Sequence, residues 1–300
     1  MDGFLGRLAR DRLAAAGFAI IAAFVVLALL APFIVPYPDA AHAIDPLGRL
    51  KPPSATHWFG TDRVGGDVFS RLLLGARETL IVALVGVGAA AAVGVPVGLA
   101  AGWVDGTPSN LLMRGADIFL AIPQIILAIV IAQALGPSLL NVILALAATL
   151  WPWFARLVFA ETRSLRREPF VEACDAIGAS PLRTLALHVL PNLASPLIVR
   201  FSLSMGFAVL TAAALGFLGL GAPAPSPEWG RTIAESREFL PEAWWYAAAP
   251  GLAIFLVVMG FNMLGDGLRD VLDPRARTVR KPAQGAEETS GGETAREAAA

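Results

Sequence analysis

Few side chains in this 300-residue sequence are of a type and spacing that does covalent chemistry. The one cysteine, Cys174, excludes an intrachain disulfide. His42, His57 and His188 are strung over 146 residues without ligand-spaced neighbours and make no metal motif. There is no glycine-rich loop followed by Lys-Ser/Thr, so the chain is not itself a P-loop ATPase. No His/Asp/Glu cluster or nucleophile–base pair is visible either. What the spacing does offer is recognition. In "REPFVEACDAIGASPLRTLALHVLPN" (167–192), Phe170, Ala173, Cys174 and Ile177 fall at i, i+3, i+4 and i+7, one apolar stripe of a helix. Glu168, Glu172 and Asp175 occupy its other side. Gly178 permits a helix end or a tight bend. Ser180 can cap a second helix with Pro181 at its first position, Leu182, Leu185, Ala186 and Val189 on one face, and Pro191 at its exit. Such a pair suits docking to another protein. The alternative is an amphipathic connector on lipid headgroups, which usually carries a basic polar face, whereas the first helix here is acidic.

The elements that hold this connector are set by composition. Hydrophobic residues make up 56 % of the chain and charged ones 16 %, against about 25 % charge in a soluble domain. Residues 13–38, 79–104, 118–155, 201–227 and 243–265 hold no charge at all. One bilayer crossing takes roughly 20 apolar residues, so the third stretch is too long for a single span. Gly136–Pro137 divides it into spans near 118–135 and 138–156. The expectation is an all-α polytopic membrane protein with six transmembrane helices, because lipid offers no partner to free backbone groups. The stretches are apolar on every face, unlike barrel strands. The first apolar run reaches Val35, longer than the 7–15 residues of a signal-peptide core, and reads as a retained anchor.

With six spans both termini share a side. Loops on that side carry 16 Lys/Arg and those opposite carry 7, which predicts cytoplasmic termini. The predicted organisation is a cytoplasmic N-terminus (1–12), a first span (13–35), an extracytoplasmic segment (36–78), a core (79–275) containing the cytoplasmic connector (156–200), and a disordered tail (276–300). Within 36–78, Val68, Leu72 and Ala76 recur behind Asp67 as an interfacial helix, and His57 reads as an ordinary loop residue. The second outer connector, 223–245, predicts a short Glu/Arg-rich helix. Trp151, Trp153, Trp244, Trp245 and Tyr246 are placed at span ends, the first two at the inner end of span four. Gly94 and Gly98 suit close helix packing, and Pro96 and Pro123 can kink their spans.

"EACDAIGASPLRTLALHVLP" (172–191) resembles the signature loop of bacterial ATP-binding-cassette importer permeases: Glu-Ala-Ala, three residues, Gly, nine residues, Ile, any residue, Leu-Pro. Glu172, Ala173, Gly178, Leu190 and Pro191 match, with Cys174 for Ala and His188 for Ile. "HWFGTDRVGGDVFSRLLLGARETL" (57–80) is similar to the outer segment of the C-type permeases of peptide and nickel importers. Gly60, Thr61, Asp62, Gly65, Asp67, Ser70, Arg71 and Leu72 fit, and Gly66 replaces the usual Arg. "MRGADIFLAIPQ" (113–124) also looks like the family's third span.

The resemblance implies a non-enzymatic permease of the bacterial inner membrane, carrying di- or oligopeptides. It would pair with a B-type permease above two cytoplasmic ATPase subunits and receive cargo from an extracytoplasmic solute-binding protein. Nucleic acid has no place in that assembly. No cofactor is expected on this chain, and ATP with Mg belongs to the ATPases. The connector would be a coupling helix, with Glu172, Ala173, Gly178, Leu182, Leu185 and Pro191 as its residues. Gln124, Gln133, Asn141, Ser202, Ser204, Thr211 and Asn262 are the candidates to line the path, with helix–helix hydrogen bonding as the competing role. Nickel chelates, glutathione or another small solute are alternative cargoes, and a non-transporting scaffold for cytoplasmic partners is an alternative of another class.

Overall fold

Apolar length dictates how many times this chain can cross a bilayer. The structure, a computed structural model, describes residues 11–39 and 44–272. Its long helices are α1 (Arg12–Ile34), α2 (Val68–Trp103), α5 (Leu139–Leu165), α9 (Ala194–Phe217) and α11 (Trp244–Leu272). Each is long and apolar enough to span. Between α2 and α5 lie α3 (Thr107–Leu120) and α4 (Gln124–Leu135), which meet at 86°. Counted as one broken span, this pair brings the total to six. The continuous helix expected over 118–135 is therefore two helices. Pro123 lacks an N–H and disfavours helical geometry at Ile122, so the run stops there and restarts at Gln124.

Three further expectations need correction. The interfacial helix and span two are one 36-residue helix, α2, because nothing between Val68 and Trp103 interrupts it; Pro96 sits inside. Helix α5 runs on to Leu165, so Trp151 and Trp153 lie in its middle rather than at its end. Trp151 instead meets Phe119 edge-on at 5.4 Å. Of the three aromatics expected at the start of the last span, Trp244 is exposed, whereas Trp245 and Tyr246 are buried against the 45–67 segment.

Helices α2 and α5 share the largest helix–helix contact of the chain. A Cβ on Gly94 would overlap Trp151 O, one on Gly98 would meet Ala155 O at 2.5 Å, and one on Gly102 the Thr162 Cβ at 2.7 Å. Gly86 and the fully buried Ala90 continue this four-residue stripe outward. Small residues let two backbones approach where lipid gives no hydrophobic drive for pairing. At one end of the bundle α1 and α11 close together: Gly17 lies against Gly260 and Leu264, and Ala14 packs with Leu268. Val199 of α9 joins the same cluster, so the connector leading into α9 sits at the end that holds Arg12 and Leu272. Which face of the bilayer this is rests on the charge count. The tail expected over 276–300 lies outside the described residues, as do His42 and residues 1–10.

Candidate functional site

The connector is built from α6 (Pro169–Ala176), α7 (Pro181–Thr184), a π-helical turn (Leu185–Val189) and α8 (Leu190–Asn192). The second helix expected after Ser180, with Pro181 in its first turn, runs without a break from 181 to 192 and contains the π-helical turn; the Ser180 side chain makes no capping bond. Helix α6 ends in a Schellman arrangement: Ala179 N–H donates to Cys174 O at 3.0 Å and Gly178 N–H to Asp175 O at 3.0 Å. This places Gly178 at φ +75°, a left-handed conformation that favours glycine.

Two residues that the stripe did not single out fix the connector to its own chain. Val171 is fully buried, and Thr184 is buried with its hydroxyl donating to Ser180 O at 3.3 Å. Leu185 and Val189 pack with Val158 and Leu193. At the base, Arg166 bonds to Asp105 at 2.8 Å and to Trp103 O, holding the end of α5 to the α2–α3 turn. The rest of the expected set faces outward. Glu172 and Ala173 are exposed, Ile177 is 82 % and Leu182 78 % exposed, and Pro191 is exposed at the start of α8. Glu172 has no side-chain hydrogen bond or ion pair among the described residues. Leu182 and Leu185 therefore separate: Leu182 points away from the chain, and Leu185 anchors within it.

The path candidates divide as well. Gln124, Ser204 and Asn262 line one cavity of about 390 Å³ together with Trp153, Leu150 and Arg200. Asn141 bonds through Nδ2 to Leu135 O and Gly136 O, both at 2.9 Å, and so closes the α4–α5 turn. Ser202 donates to Phe261 O at 3.2 Å and ties α9 to α11. Thr211 is buried in α9, and Gln133 is exposed. Arg200 escaped the sequence reading because it was assigned to the 156–200 loop. Helix α9 begins at Ala194, which carries this guanidinium into the bundle.

At the opposite end, 45–67 folds as a cap on α2. Asp67 accepts from Ser70 N–H at 2.8 Å and Ser70 Oγ at 2.7 Å. His57 Nδ1 lies 2.9 Å from Asp67 Oδ1, so this histidine is a partner of the helix cap rather than a free loop residue. Asp62 Oδ1 accepts from Val64 and Gly66 N–H, each at 2.8 Å, and Asp62 Oδ2 from Arg71 at 2.6 Å. Helix α10 (Trp229–Ser236) is the short helix expected in the second connector. Its Glu235 accepts from Arg63 (3.2 Å), Arg231 (3.0 Å) and Tyr246 (3.0 Å), which joins the two connecting segments at this end. Arg63, Arg231 and Glu235 line a cavity of about 770 Å³ at this end with Arg49 and Glu238.

Glu228, just before α10, is buried with its carboxylate wedged against Gly216 and Gly221 and accepting Ala222 N–H at 2.9 Å. Burial pushes this carboxyl up to about 7; the Ala222 bond opposes the rise, the nearby Glu78 adds to it and Arg231 opposes it. A folded-state value above the ordinary 4.5 favours the neutral acid in the folded protein. The associated stability is complete below about 4.5 and is lost as pH rises through about 7. Glu228→Gln should open a stability gap over the parent of about 3 kcal/mol between about pH 4 and pH 8, in the variant's favour. Melting curves of both proteins in the same detergent check this, and a pH-independent gap contradicts it.

The chain matches two families. Residues 94–278 match the binding-protein-dependent transport system inner membrane component, and residues 2–53 the N-terminal TM domain of oligopeptide transport permease C. It is 46 % identical over 273 residues to the dipeptide transport system permease protein DppC of Alkalihalophilus pseudofirmus, covering 91 % of this chain and 89 % of that protein. It is 42 % identical over 274 residues to the glutathione transport system permease protein GsiD of an Escherichia coli O6:K15:H31 strain, covering 91 % and 90 %. An inward-facing MetNI methionine ABC transporter structure aligns at TM-score 0.56 and 22 % identity over 68 % of this chain and 98 % of that one, a likeness of fold. The broken third span, the outward-facing connector and these matches agree: the chain belongs to the inner membrane components of binding-protein-dependent transport systems, in the branch of C-type peptide permeases.

Proposed function

We propose that this chain is one of two permeases forming the path of an ATP-driven importer for di- and oligopeptides, with 168–190 as the element that a cytoplasmic ATPase subunit grips. The observation that carries the coupling role is the connector's geometry. Leu185 and Val189 pack it against Val158 of the bundle, while Ile177, Leu182 and the carboxylate of Glu172 stand exposed. Large apolar side chains grouped on an exposed rigid element mark a protein–protein contact. The acidic side chains of α6 disfavour the alternative of resting on anionic lipid headgroups. Cytoplasmic termini follow from the excess of Lys/Arg on their side.

The peptide reading rests on the relatives, which are named for the transport of dipeptides and of glutathione, itself a tripeptide. The assembly would contain this chain, a second permease, two ATPases that bind ATP with Mg, and a solute-binding protein on the outer side. The outer segment capped by Asp62 and Asp67, next to the Arg-rich cavity, is the surface that would meet the binding protein. The test is ATP hydrolysis by the reconstituted complex with its binding protein, challenged with di- to decapeptides and with nickel chelates. Stimulation by short peptides is the expected result. Stimulation by nickel chelates alone would replace the cargo, and no response to any solute would return the scaffold reading.

A further inference from the structure

The 390 Å³ cavity between α4, α5, α9 and α11 holds donors that the chain itself does not use. Arg200 Nε, Gln124 Nε2 and Ser204 Oγ are all buried without a hydrogen-bond partner among the described residues. Arg200 also forms no ion pair among them; its guanidinium lies over the Trp153 ring at 4.9 Å. Leaving a buried donor unpaired is costly, and an unpaired charge more so. Such a cluster persists where a ligand completes it. A second cavity, of about 630 Å³ and containing Glu161 and Arg269, shares Arg200 and Leu203 with the first. Arg200 thus stands where the two spaces adjoin, and Glu161 does not reach it within ion-pair distance.

We propose that Arg200, Gln124 and Ser204 form a carboxylate-binding station in the translocation path, at which the terminal carboxylate of a peptide pauses. A guanidinium presents a planar fork that matches a carboxylate, and the Trp153 ring covers one face of this one. Gln124 Nε2 and Ser204 Oγ–H supply neutral donors of the same polarity. The exposed Asn262 lines the same space and can donate through its amide. The station has one charge and few contacts, which suits a site that cargo must leave as readily as it enters.

This station rests on the peptide-importer reading, and the experiment separates the two. Initial uptake rates are measured in proteoliposomes holding the complete complex, for one peptide as the free acid and as its C-terminal amide. The variant-to-parent ratio for each peptide cancels selection by the binding protein. Arg200→Gln should lower free-acid uptake about tenfold or more and leave amide uptake within about twofold, while Arg200→Lys, which keeps the charge without the fork, retains only part of the preference. Gln124→Ala and Ser204→Ala should each lower free-acid uptake about two- to fivefold, and they carry the test if Arg200→Gln fails to assemble. Equal loss for both peptides overturns the station and makes Arg200 a contact within the assembly, such as with a carboxylate of the second permease. No loss in any assembled variant overturns it as well. If the parent complex imports neither peptide, the peptide reading fails and the station falls with it.

Discussion

Replacing Gly178 with Trp should leave the protein inserted and assembled yet cut peptide uptake about thirtyfold or more, the scale of losing a central interface contact, while the ATPase subunits go on hydrolysing. Two features separate this from a folding defect. Gly178 has φ +75°, so any side chain there meets backbone strain, about 1–2 kcal/mol for a residue in that region. Among the described residues, its chain neighbours apart, no atom lies within 4 Å of a Cβ placed on it, so there is open space for a larger group. Strain is common to Ala and Trp, whereas bulk is felt only by a partner seated over the bend. Gly178→Ala should therefore stay within about threefold of the parent, and Glu172→Ala, which removes an exposed carboxylate from the same face, should lose about tenfold in coupling. Uptake and ATP hydrolysis measured on the same purified complexes decide it. Normal uptake by a correctly assembled Gly178→Trp complex would end the coupling assignment for this turn.

Arg71→Met should be the most destabilising of the single changes considered, at about 3–5 kcal/mol, because it strands a charge that is fully enclosed. The Asp62 side chain is 0 % exposed and that of Arg71 6 %. Asp62 also accepts the two turn N–H groups of Val64 and Gly66, so the carboxylate cannot swing out to water without dissolving the turn. Gly65 closes that turn at φ +88°, and a Cβ there would overlap Asp45 O. Adding Asp62→Asn to Arg71→Met should recover part of the loss, since Asn keeps an acceptor for the turn and carries no charge. Thermal melting of the parent, both single variants and the double variant provides the cycle. A cost under about 1 kcal/mol for Arg71→Met would show that water reaches the site.

Much of this architecture could be read from the residues because lipid leaves so few options. Uncharged runs of sufficient length had to be helices, and Gly94 and Gly98 announced a close helix pair. The same four-residue interval extends through Gly86, Ala90 and Gly102 and was there to be followed. The break before Gln124 was less legible: a proline in an apolar run can bend a helix or end it, and only neighbouring packing chooses. In the connector, the i, i+3, i+4, i+7 pattern located an amphipathic element but not which apolar residues turn inward. Val171 lies outside that stripe and is the buried anchor, while Ile177 lies on it and is exposed. Arg200 was hidden by a boundary. Charge was used to mark where spans begin, and a charge placed six residues inside α9 defeats that rule. Glu228 and the Asp62–Arg71 pair depend on turns that fold back over six to twelve residues, which no helical period reveals.

Helix α2 is about 54 Å long at 1.5 Å per residue, well beyond the roughly 30 Å of hydrocarbon it crosses. It bears the Asp67 cap at one end and lies flush along α5 toward the other. A push arriving through Arg166 and the base of the connector thus meets a rod, and a rod tilts as a whole. The far mouth can open in step with the near one, with no messenger between them, and spin labels on the two ends of α2 should keep their separation through the entire cycle.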